Sequence, residues 1–202
     1  MKLKIAKIKI EISFTLICIA GICVILGITS GFVWCAAAVL IHELGHLPMM
    51  IKLGFLPEKI KISAFEIKIF DSKRQSRSEK QNFFIIFSGP AVNFICFIPF
   101  YLLYLLGNEN FLPFALANLS VGLFNSLPVL SLDGGQIIFI LLKRRLNPAR
   151  AEKIVDIITL ITIFPLAVLG FAVLFKSKYN FSLLFICAYL IISLVTRSDR
   201  YI

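Results

Sequence analysis

The sequence predicts an all-α polytopic membrane protein of about six transmembrane helices, with a short membrane-associated β-hairpin between helices 2 and 3. Three observations lead there. Hydrophobic residues make up 59% of the 202 positions and come in blocks of about twenty, the length that crosses a bilayer as a helix. Mean hydropathy is +0.92, whereas a soluble domain is nearer half apolar and alternates its apolar residues with polar ones. The charges collect between the apolar blocks.

The blocks cover roughly residues 12–29, 33–51, 82–106, 111–142, 155–175 and 180–196. With a cytoplasmic N-terminus, the cytoplasmic segments are 1–11, 52–81, 143–154 and 197–202, and they hold 19 of the 21 Lys and Arg residues. Only Lys176 and Lys178 fall outside. This positive-inside bias places both termini in the cytoplasm. It accounts for the net charge of +10 through topology and anionic lipid, so the bilayer, and not nucleic acid, is the expected partner of the basic residues. A single membrane domain over 1–202 is expected, with no room for a separate soluble one.

Each element follows in turn. The basic stretch Lys2, Lys4, Lys7 and Lys9 precedes an apolar run without a small-residue cleavage site, so residues 12–29 are expected to form a retained first helix. The second block carries Ile41-His42-Glu43-Leu44-Gly45-His46, which contains both histidines of the chain. Between Glu11 and Lys52 the one formally charged residue is Glu43. A carboxylate within an apolar helix is costly and marks a functional site by default. His-Glu-x-x-His on a helix sets two imidazoles on one face, where they can share a zinc ion, with the Glu as general base. Pro48 removes the hydrogen bond to the carbonyl of Leu44 and is expected to bend the helix.

Residues 59–70 alternate apolar and polar on both sides of a break near Ser63–Ala64, which reads as a pair of strands, with a polar loop following over 71–80. An exposed strand edge there can take up an extended peptide. In the third block, Ser88-Gly89-Pro90-Ala91-Val92-Asn93 implies a kink or a close helix contact, with Asn93 in a packing role. The fourth block is too long for one straight crossing and is interrupted over Asn125–Gly135 by Pro128 and the Gly134–Gly135 pair. Irregular backbone at membrane depth occurs where it faces protein or a water-filled cavity. Asp133 in this stretch is the second acid within a long apolar block. Pro165 predicts a kink in the fifth block. The five cysteines (Cys18, Cys23, Cys35, Cys96, Cys187) lie in apolar runs without C-x-x-C spacing and read as small buried hydrophobes.

A catalytic zinc takes three protein ligands and leaves a position for water. His42 and His46 supply two, and Asp133 is the best candidate for the third. Two alternatives stand beside it: Asp133 as a helix N-cap before Gly134, and Glu152 as the third ligand. The inferred topology favours Asp133. His46 lies about five residues, and Asp133 about nine, before the cytoplasmic ends of two spans that run in the same direction, so both fall in the cytoplasmic half. Glu43 would then take the proton of the water and return it to the leaving amine. Asn125 can hydrogen-bond an oxyanion or the substrate backbone, or serve as a cap. Pro128, in the same irregular stretch, is a further substrate-binding candidate.

His42-Glu43-Leu44-Gly45-His46, together with Asn125-x-x-Pro128-x-x-x-Leu132-Asp133-Gly134-Gly135 and Gly89-Pro90-x-x-Asn93, resembles the site-2 protease family of intramembrane zinc metalloproteases (peptidase family M50). The compact plan is most similar to the branch that contains stage IV sporulation protein FB. The resemblance implies one zinc ion per chain on His42, His46 and Asp133, Glu43 as catalytic base, and residues 59–70 as the family's membrane-associated hairpin. It also implies cleavage of transmembrane or membrane-proximal segments of a membrane-protein substrate, a membrane regulatory or inhibitory partner, and a bacterial cytoplasmic or sporulation membrane as location. No CBS or PDZ domain is expected. The competing functions are a membrane zinc peptidase of another family, a metal carrier, and a binding module derived from a protease. The almost wholly apolar spans one, five and six argue against the carrier, and the intact Glu43 argues against the module.

Overall fold

The computed structural model describes residues 2–5, 8–12, 25, 27, 29–55, 57, 59–62, 67–70, 76–177 and 181–195. Among them are six α-helices and four short strands. They divide into two compact units, Met1–Leu123 and Phe124–Ile202.

In the first unit, strands β1 (Lys2–Ile5) and β2 (Ile8–Ile12) pair antiparallel, as do β3 (Lys59–Ile62) and β4 (Ile67–Phe70). β2 and β3 run parallel, with Ile10 opposite Ile60 and Ile12 opposite Ile62, giving the order β1-β2-β3-β4. This corrects the reading of residues 1–11 as a plain basic tail, and Ile12 as the start of a helix. The lysines of β1 and β2 alternate with Leu3, Ile5, Ile8, Ile10 and Ile12, a period of two that suits a pleated strand. The rest of the expected first helix, residues 13–24, lies outside the described residues, as do residues 63–66 between β3 and β4.

Helix α1 (Thr29–Lys52) runs unbroken through Pro48. It ends at Gly54, whose φ of 81° is open to glycine at little cost. Gly54 N donates to Ile51 O at 3.0 Å and Phe55 N to Met50 O at 2.9 Å, the paired bonds of a Schellman motif. The accompanying apolar contact is present, because Met50 and Phe55 share a small core with Ile85. Helix α2 (Glu79–Leu105) starts with a capping box in which Ser78 and Gln81 each bond the other's backbone N–H. A 3₁₀ turn, Glu109–Phe111, leads to helix α3 (Leu112–Asn125). Away from the strands, Phe114 packs its ring against Trp34 and Phe100.

The second unit holds helices α4 (Asp133–Lys143), α5 (Pro148–Ser177) and α6 (Ser182–Val195). Asn147 caps α5, its side-chain oxygen accepting from Arg150 N at 2.8 Å, with Pro148 in the first turn, where a missing N–H costs nothing. Val129, Leu132, Ile163, Cys187 and Leu190 form the core, so Cys187 is the small buried hydrophobe expected of it. Cys35 is not: it is exposed on α1.

Among the described residues, three helices are long and apolar enough to cross a membrane: Gly31–Lys52, Glu79–Leu105 and Pro148–Ser177. The outward residues fit a lipid solvent better than water. Ile161, Phe164 and Phe175 on α5 are 66%, 72% and 80% exposed, apolar surface that an aqueous protein would bury. The block at 111–142 comprises α3 and α4, of 14 and 11 residues, separated by the expected interruption.

Candidate metal centre

His42 and His46 lie one turn apart on α1, with ring centroids 5.0 Å apart and planes at 87°. His42 is buried, at 3% exposure, and His46 is partly buried. Each ring is held through Nδ1. His42 Nδ1 meets Asn93 Oδ1 at 2.8 Å, and His46 Nδ1 meets the carbonyl of Ile85 at 2.7 Å, both partners being on α2. Carbonyl oxygens only accept, so both Nδ1 atoms donate, and in the neutral ring the lone pair is then left on Nε2. That is the state in which imidazole binds a metal, with the remote nitrogen held by a carbonyl.

The close approach of α1 and α2 depends on two glycines. A Cβ at Gly45 would lie 2.9 Å from Ser88 O and 3.0 Å from Val92 Cβ. A Cβ at Gly89 would overlap Cε1 and Nε2 of His46 and lie 2.9 Å from Cε1 of His42. Cε1 of both rings and Nε2 of His46 therefore face the one stretch of α2 that presents no side chain. Two neutral imidazoles with fixed tautomers and converging edges fit a zinc ion. Glu43 is partly buried on the same helix between them.

Sequence reasoning gave Asn93 a packing role and read Gly89-Pro90 as a kink or a close helix contact, and it missed the Ile85 carbonyl. The available signal was spacing: Gly89 and Asn93 are one turn apart and so share a face of α2.

In the second unit, Asn125 is the last residue of α3 and is partly buried. Leu132 occupies the N-cap of α4 and supplies no side-chain cap, so Asp133 is the first helical residue and not the cap. There the helix dipole favours a carboxylate. The interrupted stretch folds back on this helix start. A Cβ at Gly134 would overlap the carbonyls of Ser126 and Leu127, and one at Gly135 that of Val129. Two glycines thus allow backbone to pack on backbone next to Asp133. Thr159 of α5, fully buried, fixes the same stretch: its Oγ1 accepts from Leu130 N at 3.1 Å and reaches the Pro128 carbonyl at 3.5 Å. Thr159→Val keeps the shape but leaves Leu130 N–H without its acceptor. A loss of about 1–3 kcal/mol is expected, read as a lowered melting temperature in detergent. A wild-type melting temperature would show that Thr159 does not hold the loop.

Among the described residues, His42 and His46 of the first unit can each offer one ring nitrogen to a metal ion, and in the second unit Asp133 can offer one carboxylate oxygen.

A family model described as peptidase family M50 matches residues 106–168. Stage IV sporulation protein FB of Bacillus subtilis (strain 168) is 26% identical over 150 residues, covering 73% of this chain and 52% of that protein. A Synechocystis protein named as a candidate zinc metalloprotease is 30% identical over 115 residues, covering 50% of this chain and 28% of the relative. The chain thus spans about half the length of the first relative and less of the second. The fold is similar to that of the site-2 protease from Methanocaldococcus jannaschii, with a TM-score of 0.73 and 24% identity, over 98% of this chain and 95% of the other.

Proposed function

We propose that this chain, which resembles the site-2 protease family in sequence and in fold, is a zinc-dependent endopeptidase acting inside the membrane. The observation that carries the reading is the pair of imidazoles, both locked with Nδ1 protonated and both turned toward the bare face at Gly89. His42, His46 and Asp133 would hold the metal. Bound there, zinc supplies a water of lowered pKa and a polarised carbonyl. Glu43 would act as the base, accepting the proton of the attacking water and returning it to the leaving amine. The Asn125 amide, at the start of the irregular stretch, donates to the developing oxyanion or to the substrate backbone, and Pro128 lines the same stretch.

The substrate in this reading is a membrane protein, cut within or next to a transmembrane segment near the cytoplasmic face. Peptide bonds inside a helix are shielded, so the substrate must unwind locally, and β4, at the sheet edge, offers main-chain groups to an extended segment. A multi-pass topology with both termini in the cytoplasm fits the distribution of Lys and Arg. A sporulation role follows the likeness to the B. subtilis protein; a membrane partner that restrains cleavage is a further part of the proposal.

Zinc content tests the ligand set. The purified protein is expected to hold about one zinc per chain. Asp133→Ala should lose it and Glu152→Ala keep it, as measured by elemental analysis. The reverse pattern would transfer the third ligand to Glu152.

A further inference from the structure

We infer that Asn93 and Asn118 form a one-way hydrogen-bond chain that holds His42 in its Nδ1–H tautomer. The inference rests on the zinc reading above for its consequence, but on the structure alone for its logic.

Each link has one permitted direction. Asn118 Nδ2 donates to the Phe114 carbonyl at 2.9 Å, and that carbonyl cannot donate back. This turns Asn118 Oδ1 toward Asn93, where it accepts from Asn93 Nδ2 at 3.1 Å. Asn93 Nδ2 makes its second bond to the Ala38 carbonyl at 3.0 Å, again a pure acceptor. Both amide hydrogens of Asn93 are then used, and its Oδ1 must face His42 Nδ1 at 2.8 Å. Flipping Asn93 would set its oxygen against two other oxygens, Ala38 O and Asn118 Oδ1. Two backbone carbonyls, one on α1 and one on α3, therefore decide which nitrogen of His42 carries the proton. Asn93 and Asn118 are both 0% exposed, so no water competes for these groups. His42 is thereby kept ready to coordinate through Nε2 without rearrangement. Asn93 and Asn118 are positioning residues, acting on the metal through His42.

The chain has two histidines, so ¹⁵N-histidine labelling gives two imidazoles to assign, and His46→Gln identifies them. In the neutral wild-type protein without metal, His42 is expected as the Nδ1–H tautomer. Asn93→Leu should give a mixture of tautomers at His42 alone and weaken zinc binding about 10–100-fold in a chelator competition. Asn93→Asp keeps an oxygen that accepts from His42 Nδ1 and should restore both readouts. Asn118→Leu leaves the Ala38 bond and should move both readouts in the same direction by less. If Asn93→Leu does not fold, the failure of Asn118→Leu to move the tautomer overturns the chain. Wild-type tautomer and zinc affinity in Asn93→Leu overturn it directly. A wild-type protein that binds no zinc overturns the peptidase reading instead, and the tautomer measurement still decides the chain.

Discussion

Replacing Glu43 by Gln is expected to abolish cleavage of a co-expressed membrane substrate and to leave the zinc content unchanged. The substitution alters one atom in size and hydrogen bonding but removes the carboxylate that accepts a proton. General-base catalysis contributes about 10²–10⁴-fold, so the residual rate should fall below detection in a cell-based assay. The metal stays because its proposed ligands, His42, His46 and Asp133, are untouched, and the holds on both histidines come from α2 and not from residue 43. Cleavage that persists in Glu43→Gln would remove Glu43 from the role of base. Loss of zinc in the same variant would make it a structural member of the site.

The second large effect is expected at Gly89, where one methyl group should displace both proposed histidine ligands. Glycine in a helix interior costs about 1 kcal/mol relative to alanine, so Gly89→Ala should leave α2 as stable as before or more so. The same Cβ, however, overlaps Cε1 and Nε2 of His46 and crowds Cε1 of His42. The rings must then leave their positions, and with them the bonds through Nδ1. Zinc content should fall to near zero, and the melting temperature should fall as well, because the bonds through Nδ1 and the bound metal are lost together. A Gly89→Ala protein with full zinc would show that the rings yield without losing their ligand geometry.

The chemistry was legible because membrane helices contain so few polar groups. In a chain of this hydropathy, His42, Glu43, His46 and Asp133 stand out before any neighbour is known. The interruption between α3 and α4 was legible for a similar reason, since Pro128 and the glycine pair oppose a helix that the composition otherwise favours. The N-terminal strands were obscured because four lysines within nine residues suit a cytoplasmic tail, and the alternation beneath them was read only at 59–70. A parallel partner some fifty residues away cannot be seen from local pattern: Ile12 lies opposite Ile62. The holds on the histidines were hidden by the same distance. Asn93 is separated from His42 by 51 residues, and a packing asparagine and a tautomer-setting one look alike in sequence. Thr159, among the apolar residues of α5, gave no sign that it bonds Leu130 N.

The carbonyl of Ile85 accepts from His46 Nδ1 and also from Ser88 Oγ at 2.6 Å, so one ligand of the pair is supported by main chain and the other by the side chain of Asn93. Genetics will see these two supports very differently. A saturation screen can find position 93, because changing its side chain removes the acceptor. No substitution at position 85 deletes its carbonyl, so half of the scaffold around this site is silent to mutation and is inherited through the path of a helix.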